Sequence, residues 1–175
     1  MTQVPTINGT PLNVRGIKQL VGNLAPDVDL RDGPLSSFKM LEETQGKIRI
    51  VSVVLCVDTG VCEAQTKWLE DQVSTFGNAV TGITISTDLP ETQFRWAGMN
   101  GVENVIMLSD HFDLSFGERY GTWLEELRKD QRAILVIDED NIVRYVEYVP
   151  ETGHHINYEA AQAFVRNLLE QRANA

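Results

Sequence analysis

"KIRIVSVVLCVDTGVCEAQTKWLEDQVSTFG", residues 47–77, holds both cysteines of the chain and changes its periodicity midway. From Ile48 onward it is apolar and β-branched, which predicts a central strand buried on both faces. After Cys62 the apolar positions Trp68, Leu69, Val73 and Phe76 recur at helical spacing, and Gly77 predicts the stop. The joint between the two periods is "LCVDTGVC", residues 55–62. Cys62 falls at the start of the helix, where Asp58 or Thr59 can act as the cap and Gly60 permits a tight turn. A thiol in a first helical turn faces unsatisfied backbone N–H groups and the positive end of the helix dipole. Both favour thiolate over a thiol whose ordinary pKa is about 8.5, and thiolate is the nucleophile. Thr59 stands one helical turn before Cys62, so its hydroxyl can address the same volume as the sulfur. Against this, a cysteine often does nothing more than pack. Cys56, at the end of an apolar strand, is read first as a small hydrophobe.

The flanking sequence extends the pattern. "VPTINGTPLNV" (4–14) carries Asn8-Gly9 between short apolar stretches, the signal of a β-hairpin. "GNLAPDVDLRDGPL" (22–35) is turn-rich and predicts an extended wrapping segment. "SSFKMLEETQG" (36–46) predicts a short helix opened by Ser36 or Ser37 and closed by Gly46. Strands follow at 78–86 and 104–109, separated by a helix over 88–98 with Asp88 as its cap and Pro90 in its first turn. "RAILVIDEDNIVRYVEYV" (132–149) predicts two strands joined by a turn from Asp138 to Asn141, and residues 157–172 a terminal helix. Strands alternating with helices give a parallel core, and the late hairpin adds antiparallel strands. The predicted fold class is therefore α/β, thioredoxin-like, with a mixed central sheet, helices on both faces and an N-terminal β-hairpin. A chain of 175 residues without a linker or repeat fits one domain, 1–175.

Composition narrows the function. A net charge of -10 disfavours nucleic acid and anionic membranes as partners. No stretch reads as a secretory signal or a membrane span, and two cysteines are no disulfide framework. The expected compartment is a reducing cytoplasm. The spacing is not C-x-x-C, so dithiol exchange of the thioredoxin kind is not supported. His154 and His155 are adjacent and His111 is isolated, so no metal site is expected, and no cofactor is called for.

Taken together, "DTGVC" (58–62), "STDLPETQFRWAG" (86–98), "GVENVIMLS" (101–109), "RAILVIDEDNIV" (132–143) and "NYEAAQAFV" (157–165) resemble, in order, segments of the bacterial thiol peroxidases, a class of peroxiredoxins. The resemblance implies that Cys62 is the peroxidatic cysteine, that Thr59 hydrogen-bonds the thiolate or the peroxide, and that Arg132 stabilises both. It implies a hydroperoxide substrate, a thiol reductant and a homodimer. Two positions depart from the pattern. Ala97 stands where the family carries its resolving cysteine, and Leu55 where peroxiredoxins carry a pocket proline. The expected route is then one-cysteine, with the Cys62 sulfenic acid resolved by a small thiol, thioredoxin or glutaredoxin. A bridge from Cys62 to Cys56 is the lesser alternative. The competing function is a redox sensor or interaction module with residual thiol reactivity.

Overall fold

Asn8 and Gly9 both take positive φ (49° and 79°), the geometry of a two-residue hairpin turn. They join strand β1 (Thr6–Ile7) to β2 (Thr10–Pro11), with Ile7 opposite Thr10. The computed structural model describes residues 3–175. β3 (Val14–Arg15) follows, and then the wrapping segment, which contains β4 (Asp29–Arg31).

The helix expected over 36–46 does not form. Ser37–Lys39 is strand β5, paired antiparallel with β4, and only Glu42–Thr44 makes a short 3-10 turn. The reason is non-local. Asp27, far back in the sequence, accepts hydrogen bonds from the N–H groups of Leu41 and Glu42 (2.7 and 3.0 Å), while Leu30 and Phe38 pair across the strands. These tertiary partners outweigh a weak local helix preference.

The 47–77 stretch divides as its periods predict. β6 (Ile48–Val53) is buried throughout, and α1 (Gly60–Phe76) stops at Gly77, whose φ is 61°. β7 (Val80–Ser86), α2 (Pro90–Met99) and β8 (Ile106–Ser109) complete the parallel run β6-β7-β8. α2 has Pro90 at its first position, but Asp88 is not its cap. The Asp88 carboxylate instead accepts from the Ser86 hydroxyl (2.6 Å) and the Val57 N–H (2.9 Å). Three elements without a clear sequence signal come next: α3 (Ser115–Tyr120), β9 (Trp123–Leu124) and β10 (Lys129–Asp130). β11 (Ala133–Ile137) and β12 (Val143–Tyr148) form the late hairpin, turned by Asn141 at φ 64° with Asp138 accepting from the Asp140 and Ile142 N–H groups. α4 (Tyr158–Ala173) closes the chain, with Asn157 as a true side-chain cap on the Ala160 N–H.

The main sheet has seven strands in the order β12-β11-β6-β7-β8-β4-β5. β6 is an interior strand, third in that order and beside the central β7, parallel to β7 and antiparallel to β11. Two apolar clusters fill its faces. One joins α1, α2 and α4 through Leu69, Val73, Trp96, Ala161, Val165 and Leu168. The other lies under α3 and β4 around Leu30, Met40, Phe116 and Tyr120. The expected thioredoxin-like mixed sheet is present. Among the described residues no helix is long and apolar enough to cross a membrane.

Beneath α3 lies a pair of buried carboxyls. Asp110 accepts from the Phe116 and Gly117 N–H groups (2.9 Å each), and Asp130 accepts from the Thr122 hydroxyl (2.7 Å). Gly117 is required where the pair meets the helix, because a Cβ there would lie 2.9 Å from Asp130 Oδ1 and 3.0 Å from Trp123 Cβ. Burial pushes both acids above the ordinary carboxylate range, and repulsion from Asp130 adds to the effect on Asp110. The two therefore share a proton at neutral pH. An acid whose pKa is raised on folding contributes most below its unfolded pKa of about 4, and that contribution drains away as pH rises toward the folded value. Thermal unfolding should therefore show a falling midpoint between about pH 5 and pH 9. Asp130→Asn should flatten that decline. Its amide keeps an oxygen for Thr122 and offers Asp110 a third donor, so Asp110 can ionise without a charged neighbour. An unchanged decline in the variant would refute the shared proton.

Candidate active site

The residue pair at the centre of the site is brought together by the sheet register. Ala133 at the start of β11 lies opposite Val53 at the end of β6. Arg132, one residue earlier, therefore arrives beside the segment that follows β6. That segment, Val54–Thr59, turns into α1 and carries Cys62 in its first turn. Cys62 is 1% exposed and Arg132 2%. Arg132 Nη2 donates to Cys62 Sγ at 3.3 Å. The guanidinium is held from its other sides by the Thr152 carbonyl (2.9 Å from Nη2, 3.3 Å from Nε) and by Gln65 Oε1 (3.2 Å from Nη1).

Both cysteines, Thr59, Leu55 and Arg132 line one cavity of about 440 Å³, together with Ile7, Leu127, Lys129 and Thr152. Thr59 is the N-cap residue of α1 by position, but neither it nor Asp58 caps the helix with its side chain. The Thr59 hydroxyl donates to the Cys56 carbonyl (3.2 Å) and stands 3.8 Å from Cys56 Sγ. The first amides of α1 are thus left for whatever occupies the cavity lined by Gly60, Val61 and Cys62.

Cys56 is not in the strand. β6 ends at Val53, and Cys56 sits three residues on, partly exposed at the cavity wall. Its thiol donates to Thr59 Oγ1 (3.8 Å) on the wall that also carries Cys62. The Cys56 thiol is the largest influence holding Cys62 far below an ordinary thiol, at about 4, against the opposing effect of burial. The Cys56 N–H, the Thr59 hydroxyl and the charge of Arg132 add to it. The converse holds for Cys56, pushed up by that same hydrogen bond and by burial.

Sequence reasoning named Cys62, Thr59, Arg132, Cys56 and Leu55, and the fold gathers all five. Leu55 is 7% exposed and its side chain walls the cavity. Ala97, 8% exposed, packs into the same core cluster as Cys62 and offers no second sulfur from α2. Gln65 and Thr152 were missed. Gln65 had a faint signal, a polar residue three positions after Cys62 and so on the same helix face. It is fully buried, and its amide nitrogen donates to Ser52 Oγ (2.8 Å) and to the carbonyls of Val53 (3.3 Å) and Ala133 (3.1 Å). Thr152 acts through its backbone carbonyl, which no residue type announces.

The redoxin family model matches residues 20–162. The thiol peroxidase of Bacillus subtilis is 43% identical over 165 residues, covering 92% of this chain and 98% of that protein. The thiol peroxidase of Staphylococcus aureus strain MRSA252 is 42% identical over 168 residues, covering 96% and 100%. Among solved structures, a peroxiredoxin-like protein from Aquifex aeolicus superposes with a TM-score of 0.87 at 26% identity, over 96% of this chain and 98% of the other. The fold is likewise that of the thiol peroxidase from Chromobacterium violaceum, at a TM-score of 0.82 and 20% identity over the same shares. By its sequence and by the architecture around its buried sulfur, this chain belongs to the redoxin family, among the thiol peroxidases.

Proposed function

We propose that this protein reduces hydrogen peroxide or small alkyl hydroperoxides at Cys62, using electrons from an external thiol. The observation that carries the reading is the 3.3 Å contact between Arg132 Nη2 and Cys62 Sγ, inside a cavity open to a small molecule. The thiolate attacks the terminal peroxide oxygen and the O–O bond breaks. Sulfur leaves as sulfenic acid, and the departing alkoxide or hydroxide takes a proton to become alcohol or water. Negative charge moves from sulfur to the departing oxygen. A rigid guanidinium can follow that charge with little rearrangement, which is where fixed donors lower a barrier most. The first amides of α1 supply further donors at the same place, and the Thr59 hydroxyl joins them by turning from the Cys56 carbonyl.

The reductant is a small thiol, thioredoxin or glutaredoxin, and the working compartment is the cytoplasm. A homodimer through the face bearing the site belongs to the same proposal. Exposed Leu89, Phe94 and Met99 support it, because Leu89 adjoins Asp88, the residue that anchors Val57 in the site loop. The competing reading as a non-catalytic sensor or module is not favoured by relatives named as thiol peroxidases.

Stopped-flow Trp fluorescence of the reduced protein mixed with hydrogen peroxide tests the reading. Cys62→Ser should abolish the fast phase, and Arg132→Met should slow it by about 100-fold, the typical cost of one aimed donor. A slow reaction of equal rate in wild type and both variants would overturn the assignment.

The pH profile follows from the lowered thiol. Thiolate is the reactive form and is lost as pH falls through about 4, so the rate should be flat around neutrality and decline only in acid. Ultraviolet absorbance of the thiolate should titrate over the same range, and a transition near the ordinary value of about 8.5 would contradict it.

Gln65→Leu separates positioning from packing. It should shift the thiolate titration upward and reduce the rate by about 10-fold, as expected from a misplaced donor. A fall in unfolding temperature with an unmoved titration would assign Gln65 a purely structural role.

A further inference from the structure

The chain has no sulfur at position 97, yet a second thiol lies against the first. Cys56 stands in the loop between β6 and α1, lines the same cavity as Cys62, and is partly exposed where Cys62 is buried. Its sulfur stands 3.8 Å from the hydroxyl of Thr59, the N-cap residue of the helix whose first turn carries Cys62. A disulfide demands Cα atoms about 4.4–6.8 Å apart, and two cysteines that line one small cavity can meet that demand by moving only the loop between them. The loop between them contains Thr59 in extended backbone and Gly60, around which an added Cβ would find open space, so the segment has room to adjust.

We infer that Cys56 is the resolving thiol of this protein: it captures the Cys62 sulfenic acid as an intramolecular disulfide, which the external thiol then reduces. The inference rests on the peroxidase reading and supplies its second step. Cys56 S–H loses its proton, its sulfur attacks Cys62 sulfur, and the sulfenic oxygen departs with that proton and its own as water. Two electrons per peroxide then enter from two equivalents of external thiol, which leave as their disulfide.

Electrostatics sets the order of events. While Cys62 is a thiolate, the neighbouring charge and the hydrogen bond it accepts keep Cys56 protonated and unreactive. Peroxide therefore meets only one nucleophile. Once Cys62 becomes a neutral sulfenic acid, that restraint is gone. The Thr59 hydroxyl and the Lys129 cation, both of which favour the Cys56 thiolate, remain. The resolving sulfur is thus released by the reaction that needs it.

Intact mass spectrometry tests this with reduced full-length protein, one equivalent of hydrogen peroxide, and dimedone to trap sulfenic acid. Wild type should lose two hydrogens, take no dimedone, and yield a peptide linking Cys56 to Cys62. Cys56→Ser should instead accumulate a dimedone adduct on Cys62, and with excess peroxide should proceed to sulfinic acid. A persistent Cys62 sulfenic acid in wild type, or a disulfide joining two chains, would overturn the inference while leaving the peroxidase reading intact. Absence of any Cys62 oxidation in both proteins would instead bring down the peroxidase reading, and this step with it.

Discussion

A guanidinium buried without a carboxylate must find its counter-charge elsewhere. Among the described residues Arg132 has no acidic side chain within ion-pair distance; its acceptors are a carbonyl, an amide oxygen and the Cys62 sulfur. Leaving a cation unpaired in a low-dielectric interior is costly, and so is leaving an anion there. The thiolate and the guanidinium therefore stabilise one another. The arrangement lasts only because Gln65 and the Thr152 carbonyl hold the guanidinium from behind. Reactivity and burial have one cause here: the charge that makes Cys62 a nucleophile also allows Arg132 to be inside.

The sheet builds this contact. Antiparallel pairing of β11 on β6 sets Ala133 against Val53, so that Arg132 and the loop before α1 meet at one end of the sheet. Gln65 bridges the two strands, donating to the Val53 and Ala133 carbonyls while its oxygen meets Arg132. Asp88 anchors the loop from the other side through the Val57 N–H. Leu55, in the place of a proline, still closes the cavity with an apolar wall. Cys56 and Thr59 add polar side chains to the same lining. The site is accordingly dry on one side and rich in donors on the other, which suits a reaction that moves charge from sulfur to oxygen.

Much of this was legible without coordinates. The period change at Cys62, the β-branched run of β6, the Asn8-Gly9 turn and the Asp138–Asn141 turn are local signals, and each produced the element it predicts. The failures have non-local causes. Residues 36–46 read as a helix because Asp27 and β4, which claim that backbone, are remote in sequence. Asp88 read as a helix cap because its partner Val57 lies 31 residues away. α3 was invisible because it is short, and its first amides are satisfied by Asp110, a buried carboxyl beside Asp130.

The order of residues alone determined the α/β class, the place of a cysteine in a first helical turn, and the absence of a sulfur at position 97. These are matters of periodicity, spacing and identity, which a linear string carries in full. Which groups touch the sulfur was decided only by tertiary structure. Strand register delivered Arg132, a backbone carbonyl at Thr152 oriented it, and the loop turned Cys56 out of the strand toward Cys62. Such contacts depend on backbone atoms and long-range pairing, and every residue has the same backbone, so side-chain letters cannot announce them.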